Sequence, residues 1–184
     1  MTALRAVSID LALRKTGLSW THNHRGEPGV GTDTVICETT TGHPRIQKIL
    51  TSVAAAVGCR PHIVAIESMY AGAGKGGTPL RLAEVHGVVT HWLFSRGIRY
   101  VYVEPQQIKI YATGNGNADK TDVQAAVTAE YGHLAHVADE HQADSLALLG
   151  LTAHAYGAPL TTVLNPKRTR AVTSITWPAL GELS

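Results

Sequence analysis

Residues 4–20 read LRAVSIDLALRKTGLSW, and the kind of sheet is decided here. Leu4 to Asp10 is a short apolar run that ends on a carboxylate. After a polar turn, Gly17-Leu18-Ser19-Trp20 opens a second strand, and Thr34 to Glu38 supplies a third. The connections are too short for the crossover of a dozen or more residues that a parallel return needs, so the three strands form an antiparallel meander.

Downstream the periodicity changes. His43-Pro44 opens a helix with Ile46, Ile49, Leu50, Val53 and Val57 at helical spacing, closed by Gly58 in the C′ position. A buried strand, His62 to Glu67, follows. The Gly-rich stretch from Met69 leads to Thr78 as N-cap and Pro79 at N1 of a helix through Leu82, Val85, Val89 and Phe94 that stops near Gly97. Ile98 to Val103 is the fifth strand. A short helix starts at Pro105 and gives way to Thr113-Gly114-Asn115-Gly116-Asn117. Asp119 caps the next helix, which carries Val123, Val127 and Tyr131 on one face, and a last helix runs from about Ala138 to Tyr156. The order predicts an α/β fold: a five-stranded mixed sheet, its first three strands antiparallel, flanked by helices on both faces. Residues 1–158 form one domain, and 159–184 are expected to be a peripheral basic tail.

The 184 residues are 44% hydrophobic and 16% charged, the composition of a globular domain that buries roughly 70% of its unfolded surface without metal or disulfide staples. No apolar stretch approaches the ~18 residues needed to span a bilayer, and no secretory segment opens the chain, so a cytoplasmic protein without membrane contact is expected. Cys37 and Cys59 belong to no CxxC pair, which excludes a zinc knuckle and reads as two buried thiols. A formal charge of +2 permits a nucleic-acid partner without requiring one, and ten histidines make the charge rise as pH falls below ~6.5.

The chemistry lies in misplaced acids. Asp10 and Glu67 each end an apolar strand, where a carboxylate is costly unless it meets a cation, a raised pKa or a solvent-filled cleft. In the last helix His141 and Asp144 stand three apart and share a face, while Asp139 is placed to cap its N-terminus. Hard oxygen donors of this kind suit Mg²⁺ or Mn²⁺. Two such ions about 3.5–4 Å apart serve phosphodiester hydrolysis, with Asp10 as candidate bridging ligand.

Four strings, SIDLALRKTGLSW (8–20), VAIESMYAG (64–72), GNGNADKTDVQAAV (114–127) and DEHQADSLALL (139–149), in this order and spacing resemble the RuvC family of Holliday-junction resolvases. The resemblance covers most of Val7 to Ala153. It implies an RNase H-like fold, a homodimer, two Mg²⁺ or Mn²⁺ per site, and paired nicks in a four-way DNA junction that leave 5′-phosphate and 3′-hydroxyl ends. Asp10, Glu67, His141 and Asp144 fall on the family's metal-binding and catalytic acids or His/Asp pair. Lys120 falls on a basic residue near the cleaved phosphate, Lys109 on another basic position, and Tyr70 on an aromatic that stacks on bases. The chain departs from the usual Asp-Pro-Gly of the first strand with Asp10-Leu11-Ala12, which marks a divergent, phage-type relative and leaves open its cleavage-site preference and any branch-migration motor partner.

Gly72-Ala73-Gly74-Lys75-Gly76-Gly77-Thr78 is not a P-loop, because no glycine stands five before Gly74 and Gly76 replaces the required Ser or Thr. As a loop after Glu67 it offers Lys75 to a DNA phosphate. Lys120, beside a helix start, is a second phosphate contact. Lys167, Arg168 and Arg170 form a small basic cluster in the tail, able to add sequence-blind affinity for DNA. His86 and His91 read as polar surface or interface residues. Two rival functions are kept: another RNase H-like nuclease acting on forks, flaps or RNA:DNA hybrids, and a catalytically silent junction-binding protein.

Overall fold

The computed structural model describes residues 3–23, 25–58, 60–69, 78–162 and 165–180. Five strands, β1 (Ala6–Asp10), β2 (Lys15–His22), β3 (Pro28–Ile36), β4 (Ile63–Glu67) and β5 (Tyr100–Val103), form one sheet of order β3-β2-β1-β4-β5. β1–β2 and β2–β3 pair antiparallel, and β1–β4 and β4–β5 pair parallel. Among the described residues six helices accompany the sheet: α1 (Gly42–Val57), α2 (Thr78–Ser95), α3 (Pro105–Thr113), α4 (Lys120–Tyr131), α5 (Glu140–Ala155) and α6 (Pro166–Thr173).

The alternation of side chains along the strands divides the core. Val7, Ile9, Val64 and Ile66 point to one face and pack with Ile49, Val53, Val85 and Leu93 of α1 and α2. Ala6, Ile63 and Ala65 point to the other and pack with α3, α4 and α5 through Ile108, Val127, Leu146 and Leu149. Asp10 and Glu67 keep the phase of Ala6 and of Ile63 and Ala65, so both face α5. The last pair of the β1–β4 register is Ile9 with Ile66, which leaves the two acids side by side one step further on.

The third strand begins earlier than the sequence suggests. Pro28, Gly29 and Gly31 look like turn residues, yet Trp20 pairs with Gly31 and His22 with Pro28, with an irregularity between Trp20 and His22. A Cβ on Gly31 would stand 2.5 Å from the Trp20 indole, so the glycine makes room for the ring. Gly58 ends α1 in right-handed backbone at φ −51, not the left-handed turn expected of a C′ glycine. Asp119 and Asp139 cap as expected, accepting from the backbone N–H of Asp122 and Gln142.

Among the described residues after Pro159, the helix α6 is docked on the domain. α6 packs along α3 and α5, with Ala171 buried and Val172, Ile175 and Trp177 partly so. Arg168, expected in a solvent-facing basic cluster, is 5% exposed and paired with Glu130. His86 is likewise buried, stacked on Tyr102. Cys37 is a buried free thiol, while Cys59 lies outside the described residues. No helix among the described residues is long and apolar enough to cross a membrane.

Candidate active site

α5 reaches the sheet because β1 and β2 carry small side chains beneath it. Ser8 Oγ donates to the Ser145 carbonyl at 2.6 Å, and the Ser19 and Ser145 hydroxyls share a hydrogen bond of 2.8 Å. All three serines are fully buried, and their bonds offset the cost of taking hydroxyls out of water. Gly17 decides how close the helix comes, since a Cβ there would stand 2.0 Å from the carbonyl oxygen of His141. This contact carries the N-terminal turn of α5 over the ends of β1 and β4.

Asp10, Glu67 and Asp144 converge there, each offering a carboxylate oxygen within 4.8 Å of the others. His141 stands beside the trio, its Nδ1 2.9 Å from Asp10 Oδ2. Glu67 and Asp144 line a cavity of about 220 Å³ together with Lys109, Lys120, Ile108 and Val123. The Lys120 ammonium donates to Glu140 Oε1 at 2.9 Å. The structure therefore gathers Asp10, Glu67, Asp144, His141, Lys109 and Lys120 at one place. Tyr70 and Lys75, the remaining two positions singled out from the sequence, lie outside the described residues.

The electrostatics show a site short of positive charge. Burial pushes the Glu67 carboxyl well above its usual range, and repulsion from Asp10 and Asp144 adds to it against the opposing pull of Lys120 and Lys109. Asp144 is raised to about 7, by burial first and then by Asp10. The hydrogen bond to Asp10 raises the His141 imidazole against the effect of its own burial. For Lys120, burial works against the ammonium, but the bond to Glu140 and the attraction of Glu140, Asp144 and Asp10 outweigh it. Crowded carboxylates, two of them raised by burial and mutual repulsion, are what a hard divalent ion relieves, so the donor set fits Mg²⁺ or Mn²⁺.

Sequence reasoning found the acids but missed the devices that aim them. Gly17 and the Ser8–Ser19–Ser145 contacts give no sign in the chain beyond small residues at strand positions. Glu140, which holds Lys120, looks like an ordinary first-turn acid.

A five-stranded sheet of this order, with three convergent carboxylates on the strand ends and the facing helix, is the architecture of an RNase H-like nuclease. The match to known proteins narrows the class. Residues 6–152 match the family model of the crossover junction endodeoxyribonuclease RuvC, and the chain belongs to that family. It is 31% identical over 162 residues to the RuvC of Mycobacterium avium, covering 85% of this chain and 84% of that one. With the RuvC of Mycolicibacterium vanbaalenii it shares 28% identity over 162 residues, covering 85% and 81%. The fold matches the Thermus thermophilus RuvC structure at a TM-score of 0.65 and 21% identity, over 84% of this chain and 98% of that one. The same bacterium's RuvC in complex with a Holliday junction substrate matches at 0.59 and 20% identity, over 79% and 90%.

Proposed function

We propose that this chain resolves four-way DNA junctions as a homodimer, with Asp10, Glu67, Asp144 and His141 holding two Mg²⁺ or Mn²⁺ ions. The observation that carries the reading is the trio of carboxylates within 4.8 Å, two of them lining a cavity that also holds two lysines. Bound divalent ions supply Lewis-acid stabilisation of the phosphoryl oxygens and lower the pKa of water. The reaction is hydrolysis: a water oxygen bonds to phosphorus, the P–O3′ bond breaks, and the ends are a 5′-phosphate and a 3′-hydroxyl.

The chain's own groups position this chemistry. Lys109 and Lys120 neutralise the entering phosphate, and Glu140 fixes the Lys120 ammonium at the cavity wall. His141, one hydrogen bond from the trio, orients Asp10 and completes the ligand set once its proton leaves. Loss of that proton and of those on Glu67 and Asp144 couples ion binding to pH.

Dimerisation is supported by α2. Leu80 is 77% and Phe94 73% exposed, and Gly87, midway between them, faces open space. Positions 80, 87 and 94 repeat every seven residues and so share one helix face. A mid-helix glycine costs about 1 kcal/mol relative to alanine, and nothing among the described residues lies within 4 Å of a Cβ placed there, whereas a second helix packed closely across this face would require it. Branched DNA as the substrate is supported by the Holliday junction bound by the T. thermophilus protein.

The test is incubation of the purified chain with a mobile four-way junction, a replication fork and an RNA:DNA hybrid, each with Mg²⁺ or Mn²⁺. Paired, symmetric cuts in the junction that disappear in Asp10→Asn are expected. Equal or better cleavage of the hybrid, or no metal-dependent cutting of any branched DNA, overturns the reading. Sedimentation of Leu80→Glu/Phe94→Glu against the parent tests the dimer.

A further inference from the structure

The helix α6 lies beyond residues 6–152, the span matched by the RuvC family model, and the junction-cleaving chemistry does not use it. We propose that α6 is a rail for the phosphate backbone of a DNA arm, presenting Lys167 and Arg170 as an extension of the cationic wall of the active-site cavity. The inference rests on the reading of the chain as a junction nuclease.

Its inner side is firmly anchored. Arg168 pairs with Glu130 through both terminal guanidinium nitrogens, donates Nε–H to the Tyr111 carbonyl at 3.0 Å, and lies 5.0 Å over the Tyr111 ring. Asn165 caps the first turn, its side chain accepting from the N–H groups of Lys167 and Arg168. A helix held this way presents its opposite side in a fixed orientation. Lys167, Thr169, Arg170 and Thr173 are exposed there, and neither Lys167 nor Arg170 has an acidic partner among the described residues.

The placement ties this side to the site. Lys167 lies over Gly114, where a Cβ would meet its Cδ at 3.1 Å and its Nζ at 3.3 Å. Gly114 closes α3 in left-handed backbone at φ 77, and Lys109 of the same helix lines the cavity of the acids. Gln107 Nε2 donates to Ser174 Oγ at 2.9 Å, so α6 runs antiparallel beside α3. Five residues of helix separate Lys109 from Gly114, roughly 7.5 Å of rise, about two base-pair steps along the axis of a duplex. Lys, Arg and Thr are side chains that grip phosphate oxygens without reading bases. The large exposed apolar residues among those described are Ile36, Met69, Leu80, Phe94 and Tyr102, none of them on α6. A polyanion therefore suits this face better than an apolar protein groove.

The experiment measures junction binding by the full chain carrying Asp10→Asn, so that the DNA stays intact, across a series of salt concentrations. Lys167→Ala/Arg170→Ala is added to that background, and Lys167→Gln/Arg170→Gln serves as a second version that keeps more of the side-chain stem. Lys48→Ala, on exposed α1 at the opposite face of the sheet, is the control. Loss of two phosphate contacts lowers the slope of log K against log salt by about 1.8, and that reduction is expected of both double variants and not of Lys48→Ala. Circular dichroism melting of each variant at the parent's temperature separates lost contacts from lost folding. Slopes and affinities equal to the parent overturn the α6 proposal, including the case in which a protein partner's binding is reduced instead. A parent that fails to bind the junction at all sinks the junction reading itself, so the two failures are distinguishable.

Discussion

The Asp144→Asn variant should stabilise the metal-free protein while abolishing its cleavage. Asp144 is raised from an ordinary value of 3.8 to about 7 by burial and by the neighbouring Asp10. Below pH 3.8 the acid is protonated in both folded and unfolded chains. Between 3.8 and 7 the folded chain keeps a proton the unfolded chain has released, so stability falls as pH rises, and above 7 the whole cost is present. About three pH units at ~1.36 kcal/mol each give a ceiling of about 4 kcal/mol. Asparagine matches the shape of the acid without its charge, but it desolvates an amide and disturbs the coupled Glu67, so a gain of about 1–3 kcal/mol is expected, or roughly 2–10 °C in Tm for a domain of this size.

The assay is thermal melting in EDTA across pH, wild type beside variant. The gap should be small near pH 4 and open toward pH 8, following the titration of one group. Adding Mn²⁺ should shrink or reverse the gap, because an ion at 100 times its Kd stabilises the intact site by about 2.7 kcal/mol and the variant by less. A variant less stable than wild type in EDTA at high pH, or a gap independent of pH, would refute the claim that crowded, buried carboxylates burden the apo site.

Mn²⁺ affinity should climb as pH rises through about 7, where Asp144 releases its proton, and the raised Glu67 and His141 add to the same trend; calorimetry in buffers of different ionisation enthalpy should show proton release, and a flat affinity would count against the ligand set. Gly17→Ala should separate α5 from the sheet, since its Cβ meets a backbone carbonyl at 2.0 Å; a loss of about 2–4 kcal/mol in denaturant melts is expected, together with a larger loss of cleavage than of junction affinity, and a fully active, fully stable variant would show that the helix can yield. Arg168→Met leaves the partly buried Glu130 unpaired and should cost about 2–3 kcal/mol, read as a fall in Tm of roughly 4–12 °C; a change near zero would mean that α6 is not docked in solution.

What the chain discloses before folding, and what it withholds, follows from the range of the interactions. Asp10 and Glu67 were legible because each breaks a local rule: a charge at the last apolar step of a strand demands a partner, and the demand is visible without knowing who meets it. The strand order followed from connection lengths, another local property. The early start of β3 was hidden because Pro28, Gly29 and Gly31 carry turn chemistry, and only the bulk of Trp20 on the neighbouring strand explains why a glycine belongs there. Arg168 misled for the same reason in reverse. In a basic tail it resembles a solvated charge, and its burial depends on Glu130 in α4 and Tyr111 in α3, respectively 38 and 57 residues away. Gly17 combines both cases, since a small residue near a turn has a ready local explanation that conceals its contact with His141. Function in this fold is thus announced by residues that violate local expectation, whereas its geometry is set by residues that satisfy local expectation and still answer to a distant neighbour. The second group is where substitutions should impair cleavage without touching a carboxylate.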